Sequence, residues 1–438
     1  MAKSEKRIEA MFDDLDMDFE EIRKEYTEKP SGPPDFNAQE KIDFLEETAA
    51  SMRQRDIDAT EIEGYLQDED FRRRLFDGEE QLKEVYRMSA HHQNPAAAMD
   101  LARQATLRQQ LVQAHARGEP PAETDLTGID LSGLDLHGMN FKDALLESAN
   151  LEGTNLEGAD LSRAVLAHAN LANARMTGAN LSDANLGKAR CVHCHADKAN
   201  CRKAILAEAN LAGASFRDAD LNGCNCSGAT FKDTDFSGIR ASQLRFLESD
   251  LRGLKLTGAH LFKCIFLKVD LSGVDFSDAF LQACVFLEAK GVGCRFDRAD
   301  MTNVRFVGQT VFSKSTFTGA TMTDANLRGV NLRASDFAEA IIDRADFSEC
   351  DLRESNFYRA VGHEASFVKS RLNDATMISL NAMNGTLQRA DIRGADLRGA
   401  NLFQVDMARV YANQYTQLGD TFTRKVRIYP KRVVPHDA

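Results

Sequence analysis

From Leu126 onward the chain returns an apolar residue at every fifth position, with few interruptions, as far as Met407. That interval fits neither regular backbone, because a helix repeats every 3.6 residues and a strand every 2.0. A chain built this way must turn after each unit. The unit reads A(D/N)LXX, with a large apolar centre, Asp or Asn just before it, and a small residue two before it, as at Ala159, Ala179, Ala209 and Ala395. The simplest closed path is a square coil of four units. The centre and the small residue point inward and the other three positions outward. Coils stacked by backbone hydrogen bonds then let the core be read in columns. One column runs Leu126, Leu146, Leu166, Leu186, Leu206, Cys226, Phe246, Phe266, Phe286, Phe306, so the core changes from leucine to phenylalanine midway. A one-residue insertion between Val307 and Val311 shifts the frame. Irregular units at Cys191 to Cys201, Ala241, Gly291, Gly362 and Ala382 are expected to form loops or bulges.

The repeat resembles the pentapeptide-repeat family, and the resemblance covers about two thirds of the chain. It implies a mainly β fold, a right-handed quadrilateral β-helix. At a strand spacing of ~4.8 Å, about 14 coils would stack into a rod on the order of 65 to 70 Å long. Each coil touches only its neighbours, so both ends of the rod need covering. Five segments are expected: an acidic amphipathic helix (1–29), a Pro/Gly linker (30–37), a helical region with an N-terminal capping helix (38–120), the solenoid (121–410) and a basic aromatic C-terminal cap (411–438).

Composition bounds the function. The 438 residues carry a net charge of −13, with 43% hydrophobic and 28% charged residues, enough apolar material for a folded core. The acidity is concentrated ahead of the repeat, while the last residues are basic. An acidic balance argues against direct nucleic-acid binding, which needs clustered Lys and Arg. The sequence has no apolar run long enough to span a membrane, and its start, MAKSEKRIEA, lacks the apolar stretch of an export signal, so a cytoplasmic protein is expected.

In the first segment Ile8, Phe12, Leu15, Phe19, Ile22 and Tyr26 recur at helical spacing. Asp14, Asp16, Asp18 and Glu25 match positions of a calcium loop, but Phe19 stands where its sharp turn needs glycine, so the helix is preferred. The apolar face of Phe12, Leu15, Phe19 and Ile22 calls for a partner, either the solenoid or a groove on another protein. Thr60 with Glu63 reads as a capping box. Asn94-Pro95 is expected to open a helix through Ala97, Leu101, Ala105, Leu111 and Ala114 that stops at Gly118 and covers the first coil. Behind the last coil, Tyr411, Tyr415, Phe422 and Tyr429 interleave with Arg424, Arg427 and Arg432, a composition suited to a docking surface for an acidic partner or a second copy, and otherwise to a simple cap.

Cys191, His193, Cys194 and His195 offer ligands that zinc prefers. The repeat argues against a site, because all nine cysteines fall on inward positions and Cys191 and Cys194 belong to different ones. Small apolar core residues explain them. No phosphate-binding loop, nucleophile elbow or HExxH motif is present, and the histidines are scattered, so neither an enzyme, a metal nor a cofactor is expected.

One branch of the resembled family mimics double-stranded DNA and protects or inhibits DNA gyrase. That role needs a persistent negative face, whereas Lys142, Arg163, Lys188, Arg202, Lys203, Arg328 and Arg398 fall on outward positions here. The leader from Gly118 through Asp125-Leu126-Thr127-Gly128-Ile129-Asp130-Leu131-Ser132-Gly133, the Asn401-Leu402-Phe403 end and the tail Thr423-Arg424-Lys425-Val426-Arg427-Ile428-Tyr429-Pro430 look like pentapeptide proteins that accompany bacterial type VI secretion clusters. The resemblance implies a non-enzymatic adaptor for a secretion effector or spike component, forming a homodimer through its C-terminal end. DNA mimicry directed at gyrase or topoisomerase is the alternative.

Overall fold

In a computed structural model, residues 32–121 and 124–428 are described. Four α-helices precede the repeat: α1 (Ala38–Gln54), α2 (Thr60–Gln67), α3 (Glu69–Ser89) and α4 (Leu101–Arg117). Helices α1 to α3 pack on one another. Asn37 caps α1 by accepting from the Glu40 amide, and Asp68 caps α3 by accepting from that of Asp70. The expected capping box at Thr60 is not formed. Thr60 is already helical, and Asp58 instead accepts both its amide and its hydroxyl, because Asp58 lies at the right remove to fold back on that amide.

The repeat is a four-sided β-solenoid. Parallel bridges join each side to the same side of the next coil, as in Asp125 to Leu145, Asp130 to Asn150, Asp135 to Asn155 and Asn140 to Asp160. Six three-residue strands stand out in this ladder: β1 (Arg240–Ser242) pairs with β3 (His260–Phe262), while β2 (Arg245–Leu247), β4 (Ile265–Leu267), β5 (Val285–Leu287) and β6 (Arg305–Val307) stack in register. The Asp or Asn before each centre serves two hydrogen bonds. Its side-chain oxygen accepts the amide two residues on, as Asp130 does from Ser132 at 2.8 Å, and it takes an amide hydrogen from the next coil, as Asp130 does from Asn150 at 3.1 Å. Asn170 continues that ladder onto Asn150 at 3.0 Å. This is why the repeat tolerates Asp and Asn there: a short side chain closes the turn and links neighbouring coils.

The inward positions form one continuous core. Phe246, Phe266, Phe286 and Phe306 stack ring on ring at 4.9, 4.7 and 4.9 Å. A second stack, Phe276, Phe296, Phe317, Phe337 and Phe357, meets it edge to face. The stacking distance matches the rise of one coil, so the phenylalanine half of the core is set by the backbone ladder itself.

Most of the irregular units keep the ladder intact, contrary to expectation. Bridges run unbroken through Arg190 to Asn210, Val361 to Asn381 and Asn381 to Asn401. Small centres are accommodated by neighbours: the Phe312 ring occupies the space a Cβ on Gly291 would enter. The insertion does form a local bulge, after which the register moves from Lys290 to Val311 and from Arg305 to Asn326. A second one-residue shift, absent from the sequence reading, lies between the pairs Asp391 to Tyr411 and Asp396 to Gln417.

Candidate protein-interaction surfaces

At the N-terminal end of the solenoid, α4 lies across the first coil. Leu107 and Leu111 are buried in the solenoid core, with Ala114 and Met99 packed beside them. The free edge of the coil finds polar partners too. Arg108 donates to the carbonyls of Asp130 at 2.6 Å and Ser132 at 3.2 Å, Gln104 accepts the Asp130 amide, and Met99 donates to the Gly128 carbonyl at 3.0 Å. The helix begins at Leu101, capped by Asp100, rather than at Pro95. The segment before it is extended so that it can pair with Gly128, where any Cβ would strike the Ala97 carbonyl. Leu101 is therefore solvent-exposed, and the buried face runs through Leu107 and Leu111. Gly118 ends the helix in the left-handed conformation at φ 68.

The end of α3 docks on one side of the solenoid, a contact that sequence reasoning missed. Tyr86 and Ala90 pack with Val165 and Ala167, and Tyr86 donates to the buried Glu147 carboxylate. Arg87 donates to the Asp183 carbonyl at 2.5 Å, and Asn185 donates to the Arg87 carbonyl at 2.7 Å. Gly187 leaves room for the His91 ring, which a Cβ would overlap. Burial pushes the Glu147 carboxyl above its ordinary range and holds His91 and His168 below theirs. A signal existed in the repeat: Leu145, Val165 and Ile205 replace Asp or Asn on the one side that is covered.

The opposite end differs. The ladder continues past the expected boundary at 410 through Tyr411, Gln417, Phe422 and Arg427, so residues 411–427 add a further coil instead of a separate cap. Among the described residues nothing lies over it. Tyr411, Tyr415 and Phe422 are 61%, 67% and 50% exposed, and Leu418 and Ile428 are exposed beside them. Phe422 stacks on Phe403 at 6.0 Å, and the Lys425 ammonium sits 5.4 Å from the Phe403 ring. Arg427 reaches Asp406 at 3.5 Å, and Arg424 is exposed. The structure thus places Tyr411, Tyr415, Phe422, Arg424 and Arg427 on one coil, with Tyr411, Phe422 and Arg427 on three different sides of it. Phe12, Leu15, Phe19, Ile22, Tyr429 and Arg432 lie outside the described residues.

A further exposed apolar cluster escaped the sequence. Phe262 and Phe280 stand on outward positions, with His260 stacked on Phe280 at 4.4 Å above a shallow groove shared with Arg240 and Asn222. On the helical lobe, Phe44, Phe76, Val85 and Met88 face solvent.

Cys191, His193, Cys194 and His195 do not converge. Both thiols are fully buried while both imidazoles are exposed, since inward and outward positions alternate on the coil. The Cys191 thiol beside it and its burial push Cys194 well above the ordinary thiol range, and burial pushes Cys226, Cys294 and Cys350 up to about 12. Several buried thiols donate to backbone carbonyls of the preceding coil, as Cys294 does to Leu271 at 3.0 Å, the role Thr154 and Thr234 play with Leu131 and Leu211. All nine cysteines are free.

Outward charges are largely matched. Arg298 pairs with Asp278, Arg344 with Asp324, Arg217 with Asp197, and Arg353 and Arg371 with Asp351. The Arg252 and Arg393 guanidiniums hold Asp250 and Asp391 down to about 2. Among the described residues no helix is long and apolar enough to cross a membrane.

Comparison with known proteins agrees with this architecture. Two sequence profiles, each described as pentapeptide repeats, match the solenoid, one at residues 144–183, 159–190, 224–261, 270–308, 340–377 and 384–410 and the other at 196–240 and 292–336. No curated protein matches the chain. Similar solved structures include HetL, a pentapeptide-repeat protein involved in heterocyst differentiation regulation in the cyanobacterium Nostoc (23% identity, 59% of this chain and 95% of that one, TM-score 0.24). QnrB1, a plasmid-mediated fluoroquinolone resistance protein, is 17% identical over 53% of this chain and 94% of its own, with a TM-score of 0.18. A pentapeptide-repeat protein of the Arabidopsis thaliana thylakoid lumen is 30% identical over 26% of this chain and 66% of its own, with a TM-score of 0.12. With both profiles seated on the coils that the bridges define, the chain belongs to the pentapeptide-repeat family.

Proposed function

We propose that this protein is a non-enzymatic interaction scaffold whose last coil docks a protein partner. The observation that carries the reading is the contrast between the ends: α4 covers the first coil, whereas the last coil presents Tyr411, Tyr415, Leu418, Phe422 and Ile428 to solvent. Aromatic anchors flanked by Arg424, Lys425 and Arg427 suit a partner with an apolar patch rimmed by acids.

The leader and tail resemblance supports an effector or spike component of a type VI secretion system as that partner, with the protein acting as a cytoplasmic adaptor. DNA mimicry is less well supported, because the paired outward Arg and Asp residues break up any continuous negative face. The test is affinity purification of the tagged full chain from cross-linked native cells, beside the variant L418D/F422D. The proposal expects secretion components with the full chain and their loss with the variant. Equal recovery with both would remove the last coil from the account, and topoisomerase subunits recovered with both would restore the DNA-mimic reading.

A further inference from the structure

His115, Asp135 and His137 meet where the last turn of α4 crosses the first coil. One ligand atom from each lies within 4.8 Å of the others, a convergence of metal-binding side chains on two separate elements. In sequence the two histidines stand on opposite sides of Pro120-Pro121 and share no motif spacing. Only the docking of α4 joins them.

The hydrogen bonds around the cluster prepare two nitrogens for a metal. The His115 Nε2 lies 3.0 Å from the His137 carbonyl oxygen, which can only accept, so Nε2 carries the hydrogen and Nδ1 keeps its lone pair. The His137 Nδ1 lies 2.9 Å from Asp135 Oδ1. A metal that takes the place of the hydrogen shared there would be held by Nδ1 of His137 and the Asp135 oxygen together. Metal-bound histidines generally donate their other ring N–H to a carbonyl or carboxylate, which fixes tautomer and ring orientation. His115 already does so through Nε2. The rings stand nearly perpendicular, at 79° with centroids 4.8 Å apart. The cluster also sits at the C-terminal end of α4, where a cation is favoured by the helix dipole.

We propose that His115, His137 and Asp135 form a binding site for a divalent first-row transition metal of the zinc class. Two imidazoles and a carboxylate oxygen suit such an ion and discriminate against magnesium and calcium, which take oxygen ligands. A small rotamer adjustment draws the ligand atoms from their present separation to the ~2 Å bond lengths of a tetrahedral zinc site, with water completing the shell. The metal ties the end of the capping helix to the first coil, so its binding tightens the closed end of the rod. The site is independent of the docking proposed for the last coil.

The experiment is zinc titration by calorimetry of the full chain and of the single variants H115Q and H137Q, each checked by circular dichroism for an unchanged fold. The expected result is one strongly bound zinc per chain, weakened at least tenfold in each variant. Cobalt should give visible d–d bands in the full chain that both variants lose. Zinc should also slow amide exchange in residues 107–117 of the full chain and leave both variants unchanged. Absence of stoichiometric zinc binding by the full chain overturns the proposal, as does equal affinity in the full chain and both variants.

Discussion

The second outward position of most units holds a left-handed backbone, whether the residue is Gly133 at φ 67, Asp143 at φ 58 or Lys369 at φ 58. This follows from a turn whose third residue requires positive φ, a conformation that costs a non-glycine residue roughly 1–2 kcal/mol. Ala334 is a useful probe because it is exposed, has φ 56 and offers no side-chain hydrogen bond. Replacing it by glycine should stabilise the solenoid by about 0.5–1 kcal/mol, since the relieved strain exceeds the added chain entropy. A rise in the denaturant midpoint checks this. In the core, Phe266 stacks on Phe246 and Phe286, so Phe266→Ala should cost about 3–5 kcal/mol. Chemical denaturation measures that loss.

At the scale of elements, the two helices that touch the solenoid do different work. Leu111 of α4 is buried against the first coil, and Leu111→Ala should lower stability by about 2–3 kcal/mol in chemical denaturation. The α3 dock should respond to pH. His91 and His168 bind protons less readily when docked, so their contribution is intact above the free histidine value of ~6.5 and is lost as pH falls below it. Glu147 is shifted upward, so it favours docking below the free carboxyl value and loses that contribution as pH rises from there. As pH falls from 7 the histidine contribution is lost while that of Glu147 returns, so in E147Q, where the histidines alone titrate, hydrogen exchange in residues 86–92 should quicken once the intrinsic rate is divided out. Adding H91Q and H168Q to that variant should flatten the response. An unchanged slope would show that the dock does not depend on neutral imidazoles.

The elements also show what the sequence could reveal. The solenoid was legible because each unit repeats the same physical requirement, an apolar centre inside and a turn-closing Asp or Asn beside it. The bulge at Val307 to Val311 was legible as a break in frame. The docked face was written more faintly, as Leu145, Val165 and Ile205 where Asp or Asn is usual, because it depends on a partner helix far away in the chain. The same holds for His115 and His137, which only the path of α4 brings together. The start of α4 was misplaced because Pro95 is compatible with both a first helical turn and an extended edge, and pairing with Gly128 decides for the second.

As a whole molecule, the protein is a stack of coils in which each contacts its neighbours, so the state of the ends sets how it meets other chains. One end is sealed by Leu107, Leu111 and the Arg108 guanidinium, and among the described residues nothing covers the last coil at the other. Native-state hydrogen exchange on the isolated full chain tests that asymmetry most directly. Amides of residues 126–146 should exchange as slowly as those at the middle of the solenoid, whereas those of 411–427 should exchange at least a hundredfold faster, a difference of about 2.7 kcal/mol in opening free energy. Equal protection at both ends would mean that the last coil is already covered, and would contradict an open docking end.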